Sequence, residues 1–192
     1  GTRTLSVSNT YTGATTISVG TLALGVSNAI ADTSSVSVAS GSTFALGGYS
    51  DTVGRLTGAG SVSLGAGTLT STFSGGGGFL TFSGVISGTG GFTLAGAADF
   101  NDFLSLSGSN TYTGATTINA GTLKLATGGS INNSASLTVM PGALFDAADT
   151  NFTLGTGKTL TAGDTNAAAD VTGSLTSEGT IQPGGTAALG TI

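Results

Sequence analysis

The 192-residue chain has no cysteine, no histidine and no tryptophan, and only two prolines. Without His or Cys it cannot build a Ser-His-Asp triad, a Cys-His nucleophile pair or the commonest zinc sites. Without Cys it has no disulfides, which a fold stabilised by stacking can do without. A chain that had to cross a narrow pore unfolded would also be hindered by them. Charged residues make up 7% of the chain, far below the roughly 25% of an ordinary globular domain. Nine acids oppose Arg3, Arg55, Lys124 and Lys158, giving a net charge of −5. Four scattered cations form no basic stripe, so no nucleic-acid partner is expected. From Leu56 to Ala98 there is no charge at all, yet Gly, Ser and Thr interrupt every apolar run well short of the ~18 residues of a membrane span. Neither membrane insertion nor a signal peptide is therefore read from this sequence.

What is present is glycine, 35 residues of it, with abundant Ser and Thr and a 38% hydrophobic share. Disordered chains combine low hydrophobicity with high net charge, and this one has neither. Thr, Val, Ile and Phe favour strands and Gly favours sharp corners, so the chain reads as all-β.

A long repeat organises it. Asn9–Gly25 reads NTYTGATTISVGTLALG and Asn110–Ala126 reads NTYTGATTINAGTLKLA, with 13 of 17 positions identical at an offset of 101 residues. The likeness extends more weakly over 1–46 and 102–147, where Ile30 meets Ile131 and Phe44 meets Phe145. No linker divides the copies, and the whole of 1–192 is expected to be one domain. Within the repeat, apolar residues recur two apart, as in Leu22/Leu24, Val36/Val38, Phe92/Leu94 and Leu123/Leu125. That spacing puts both side chains on one face of a strand. Gly20, Gly60, Gly90 and Gly121 stand just ahead of such pairs, where a positive φ is expected to turn a corner. Hairpin dipeptides such as Asn-Gly and Asp-Gly are absent, which argues against an antiparallel sandwich.

These features predict a right-handed parallel β-helix, a β-solenoid of about nine or ten rungs of roughly 20 residues. At ~4.8 Å per rung it would stand roughly 45 Å tall. Leu22, Leu24, Leu123 and Leu125 are expected inside, with Thr21, Ala23, Thr122 and Lys124 outside. Tyr11 and Tyr112 are expected in matching corners about five rungs apart, shielding the ladder edge. The pattern is already running at Thr4-Leu5-Ser6-Val7 and still running at Gly190-Thr191-Ile192, so the chain reads as part of a longer solenoid.

The motif NTYTGATTIxxGTLxL resembles the autotransporter-associated β-strand repeat of bacterial outer-membrane passengers. Ser83–Gly91 is similar to that repeat's lead-in, and Ser174–Gly184 to the end of a passenger rung series. The resemblance implies an extracellular β-helical passenger on the Gram-negative cell surface, delivered by a C-terminal outer-membrane barrel that lies outside these residues. Flat, neutral Thr/Ser-rich walls suit weak repeated contacts, so a structural or adhesive role is expected, with other copies of the chain or an extracellular polymer as partner; a glycan-active enzyme and a self-assembling surface filament are the alternatives.

Parallel β-helices also serve polysaccharide-cleaving enzymes, so the acids matter more. Asp99 and Asp102 form one group and Asp146 and Asp149 another, while Asp149 and Asp170 lie 21 residues apart, near one rung. Stacked carboxylates would suit acid-base work or Ca²⁺; as turn residues they would instead cap backbone amides. The second reading is preferred. No catalytic, cofactor-binding or metal-binding residue is assigned, and no enzymatic activity is expected. The four-glycine run Gly75–Gly78 precedes a strand-like segment and is read as a corner, not a phosphate loop. Gly163-Asp164-Thr165 is read as a turn. The two TxT sites, Thr10/Thr12 and Thr111/Thr113, are too sparse for an ice-binding face.

Overall fold

The computed structural model describes residues 1–74, 78–96, 102–163 and 170–183. They form nineteen short strands and no helix, so no helix is long and apolar enough to cross a membrane. Every registered strand pair is parallel, at a step of one rung, so the chain winds as a β-solenoid of three walls.

Wall one stacks β1 (Thr2–Leu5), β3 (Thr21–Leu24), β5 (Thr43–Ala45), β8 (Ser61–Ser63) and β11 (Ile86–Ser87). Wall two begins with β6 (Asp51–Val53), β9 (Leu69–Ser71) and β12 (Phe92–Ala95). Wall three begins with β2 (Thr15–Ile17), β4 (Ser35–Val38), β7 (Arg55–Gly58), β10 (Phe79–Phe82) and β13 (Phe103–Leu106). The chain visits them in the order one, two, three. The longer β14 (Thr116–Leu125) turns a corner: its first residues pair with β12 on wall two and its last with β13 on wall three. Wall two then continues through β15 (Ser136–Val139), β17 (Thr159–Ala162) and β19 (Thr180–Pro183), while β16 (Ala143–Leu154) and β18 (Asp170–Ser177) also turn a corner, their first residues carrying wall three upward and their last residues wall one.

The solenoid makes about eight turns, slightly fewer than the nine or ten expected, because most rungs are longer than 20 residues. Thr43 registers with Ser61, but Ile86 with Val62 and Leu144 with Asp170. Inward residues stack as ladders: Leu22–Phe44–Val62–Ile86 on wall one and Leu80–Leu104–Leu123–Phe145 on wall three. Burying each such side chain is worth about 1.5–3 kcal/mol. Leu24, Leu123 and Leu125 are buried as expected, and Leu22 packs on the core while partly exposed on the lowest rungs. Of the expected outward residues, Thr21, Ala23 and Lys124 are half-buried. Thr122 is buried, because on the outer face it lies in register between Phe103 and Leu144.

The glycines divide into two kinds. Gly20 and Gly121 turn corners at φ of 77° and 73°, as expected. Gly60 and Gly90 do not; they are required by contact. A Cβ on Gly90 would lie 1.7 Å from the Gly67 carbonyl oxygen, and one on Gly84 1.6 Å from that of Gly60. Glycines thus form columns, Gly60–Gly84–Gly108 at one corner and Gly67–Gly90–Gly114 at another, where successive backbones touch.

The repeat's true geometry follows from the walls. β1, β3 and β5 lie on wall one, but their counterparts 101 residues on, β13, the end of β14 and the start of β16, lie on wall three. The registers are identical: Thr2 with Thr21 and Leu22 with Phe44 in the first copy, Phe103 with Thr122 and Leu123 with Phe145 in the second. β2 and β4 lie on wall three, and their counterparts lie on wall two. Between β1 and β13 come eleven further strands and the non-strand segments at Asn9 and Ala29, fourteen steps from wall to wall. The repeat is therefore four and two-thirds turns, not five, and its copies are rotated by a third of a turn.

Candidate functional site

The signature residues of the repeat converge at one corner. Asn110 is buried; its Nδ2 donates to the carbonyls of Gly108 and Ser130, at 2.9 and 3.1 Å, and its Oδ1 accepts the Ile86 amide at 2.9 Å. One side chain thus pegs three successive rungs where strand pairing lapses. Two residues on, the Tyr112 hydroxyl bonds Thr116 Oγ1 at 2.6 Å, and Thr116 Oγ1 bonds Ser134 Oγ at 2.9 Å. Ser134 in turn donates to the carbonyl of Gly114 at 2.8 Å. Burial pushes the Tyr112 phenol well above its usual value, so it stays neutral, the Thr116 bond opposing only weakly. This network closes polar groups against one another and leaves nothing aimed at a ligand.

The first copy repeats it. Asn9 Nδ2 donates to Val7 and Ala29 carbonyls, both at 2.9 Å, and Ser34 Oγ donates to the Gly13 carbonyl. The Tyr11 hydroxyl bonds Thr15 Oγ1 as Tyr112 bonds Thr116, but the matching environments expected of the pair are not found: Tyr11 is exposed, whereas Tyr112 is 1% exposed and lies inside the rod instead of shielding an edge. A buried ring cannot stack on a sugar. The TxT threonines are all exposed, but the copies face different walls and make no common flat face.

The acids behave mostly as backbone caps. Asp102 is buried, and its Oδ1 accepts the Gly78 amide at 2.5 Å across one rung. Asp99, expected beside it, lies outside the described residues, as do Gly75–Gly77 of the glycine run and Asp164. Asp146 Oδ1 accepts from the Ala148 amide and the Thr172 hydroxyl. Lys124 Nζ lies 3.6 Å from Asp146 and 2.9 Å from Asp149, and the Asp149 bond chiefly raises the Lys124 ammonium above its usual value. The expected stacking of Asp149 on Asp170 is not found. Asp170 registers with Leu144, and Asp149 falls in the break between Ala147 and Asn151 where β16 leaves register with β18. A 21-residue spacing misses because this rung is longer than average.

A shallow groove of about 310 Å³ lies beside the first rungs, lined by Arg3, Thr15, Ile17, Val19 and Leu22 among others, with no acid in its lining. Among the described residues, no three His, Cys, Asp or Glu side chains are grouped to hold a metal. Sequence reading missed Asp51, a buried carboxyl on wall two; nothing in Ser50-Asp51-Thr52 distinguishes it from the turn acids.

Two stretches of the chain, residues 1–24 and 104–125, match the passenger-associated-transport-repeat family. They coincide with β1–β3 and with β13 to the end of β14, the segments shown above to be equivalent. No curated protein sequence and no solved structure matches the chain.

Proposed function

We propose that this chain, which carries two passenger-associated-transport repeats, is an extracellular structural and adhesive segment of an autotransporter passenger. In this reading it acts through its walls, by cell-surface adhesion or self-association, and catalyses no reaction. The supporting observation is where the repeat's polar signature goes. Asn110, Tyr112, Thr116 and Ser134 bond to one another's rungs, and the outer faces are left to Thr, Ser and a few charges. Such surfaces suit weak contacts that gain strength by repetition along a rod. The partners would be other copies of the chain or an extended extracellular polymer. The location would be the Gram-negative cell surface, with export and anchoring supplied by an outer-membrane barrel beyond these residues.

The test is aggregation of cells displaying the whole passenger, with and without residues 1–192. Loss of aggregation on deletion, with little dependence on salt, is expected, since few charges are available to be screened. Aggregation unchanged by the deletion, together with turnover of a polysaccharide that Asp102→Asn or Asp149→Asn abolishes, would replace this reading with that of a glycan-active enzyme.

A further inference from the structure

Two phenylalanines stand together on the outer face of wall three. In β10 the buried Leu80 and Phe82 point inward, so Phe79 and Thr81 point out, and Phe79 is 74% exposed. Its register partner on the next rung is the half-buried Phe103, with ring centroids 4.5 Å apart and ring planes tilted by 37°. The same outer column continues through Thr122 and the half-buried Leu144. The fold does not ask for rings here. In the first copy of the repeat Thr2 holds the place of Phe103, and neither ring belongs to the buried core.

A second column runs beside the rings, two residues further along each strand and so about 7 Å away. It carries Thr81, Ser105, Lys124, Asp146 and Thr172 in register. Thr81 and Thr172 expose hydroxyls that can both donate and accept. Its one cation, Lys124, is held by Asp146 and Asp149 at 3.6 and 2.9 Å, so this column offers an anion no spare positive charge.

An apolar platform one residue wide, with a polar edge parallel to it, narrows the choice of occupant. Stable protein partners bury about 1,200–2,000 Å², far more than a pair of rings supplies. A nucleobase could stack here, but its phosphates would meet a chain of net charge −5. A sugar ring fits both columns. Its C–H face packs on an aromatic ring, and its rim of hydroxyls can bond to Thr81 and its neighbours. We infer that the Phe79–Phe103 platform is a carbohydrate subsite, which binds a neutral polysaccharide laid along wall three. This rests on the adhesive reading above and gives the extracellular polymer in it a chemical class.

Affinity electrophoresis of the intact chain tests this, in gels holding hydroxyethylcellulose, laminarin, galactomannan or, as the anionic comparison, polygalacturonate. At least one neutral gel should retard the chain, and polygalacturonate should not. Phe79→Ala should weaken that binding about tenfold or more, the effect of losing one buried aromatic contact. Phe79→Tyr keeps the ring and should bind as before; Phe79→Leu keeps only apolar bulk and should not. Val19→Ala removes an apolar side chain that is 86% exposed on the lowest rungs and should change nothing. Should Phe79→Ala fail to fold, the contrast between Phe79→Tyr and Phe79→Leu carries the same test. Unretarded passage through all three neutral gels, undiminished binding by Phe79→Leu, or retardation by polygalacturonate alone would each overturn the subsite. So would a fall in oligomer mass on Phe79→Ala, seen by sedimentation, since the occupant would then be a second copy. If sugar binding fails while deletion of residues 1–192 still abolishes cell aggregation, the subsite falls and the adhesive reading stands. Phe79-dependent sugar binding, with aggregation that survives the deletion, would have the reverse meaning.

Discussion

Tyr11 and Tyr112 make the same bond, each hydroxyl to the threonine four residues on, at 2.8 and 2.6 Å, yet Tyr11 is 39% exposed and Tyr112 1%. The difference is context. The second copy lies on β12 and β13, which close over its corner, whereas the first copy occupies the lowest described rungs. One motif thus does different amounts of work at two heights, so mutations at equivalent positions should not have equal effects. Tyr112→Phe removes a buried bond and should cost about 1 kcal/mol; Tyr112→Ala also opens a cavity and should cost about 3–5 kcal/mol. Tyr11→Ala should cost well under half of that. Urea unfolding of the variants checks the ranking, and equal losses at both sites would contradict it.

The asparagine pegs should separate in the same way. Asn110→Ala strands the buried Ile86 amide, while the carbonyls of Gly108 and Ser130 keep their backbone bonds from Ser130 and Asn110. Leaving buried groups unpaired costs about 1–3 kcal/mol, and hydrogen exchange at Ile86 should speed up most. Asn9→Ala strands no amide, and the Ala29 carbonyl keeps the backbone bond from Asn9, so stability should change by less than about 1 kcal/mol.

The repeat and the period-two pattern made the solenoid legible in the sequence, because a ladder needs the same residue type at the same wall in each rung. The turn count and the acid pairing were less legible, and for one reason. Loop length at the corners is free to vary, so the rung from Thr43 to Ser61 is short and that from Leu144 to Asp170 is long. A constant period therefore placed Asp149 over Asp170 when the register places Leu144 there. Asp51 was hidden differently. An acid in a turn and an acid in an inward column look alike until the column is known.

The glycine columns also escaped a reading based on turns. Gly84→Ala would put a Cβ 1.6 Å from a carbonyl oxygen of the rung below. The backbone must part there, at a cost of about 3 kcal/mol or more. Gly142 has a positive φ of 76° but open space around it, so Gly142→Ala should cost only about 1–2 kcal/mol. Thermal unfolding of the pair separates contact from conformation. If Gly142→Ala proved the more damaging, the contact argument would fail.

The rotation between copies has the widest consequence. Four and two-thirds turns at ~4.8 Å per rung displace the second copy by about 22 Å along the rod, and the unfinished turn moves it from one wall to the next. Thr12 and Thr113 are exposed equivalents of each other and therefore face different directions. A flat partner lying along one wall meets the threonine corner of only one copy. Partners that read this corner must approach from different sides, and three successive copies at this pitch would be needed before the corner returned to its first wall. Spin labels on a Thr12→Cys, Thr113→Cys double variant should therefore report a distance well beyond the ~22 Å that a shared wall would give. A distribution centred near the axial displacement would mean that the copies lie directly above one another, and the third-of-a-turn offset would then be wrong.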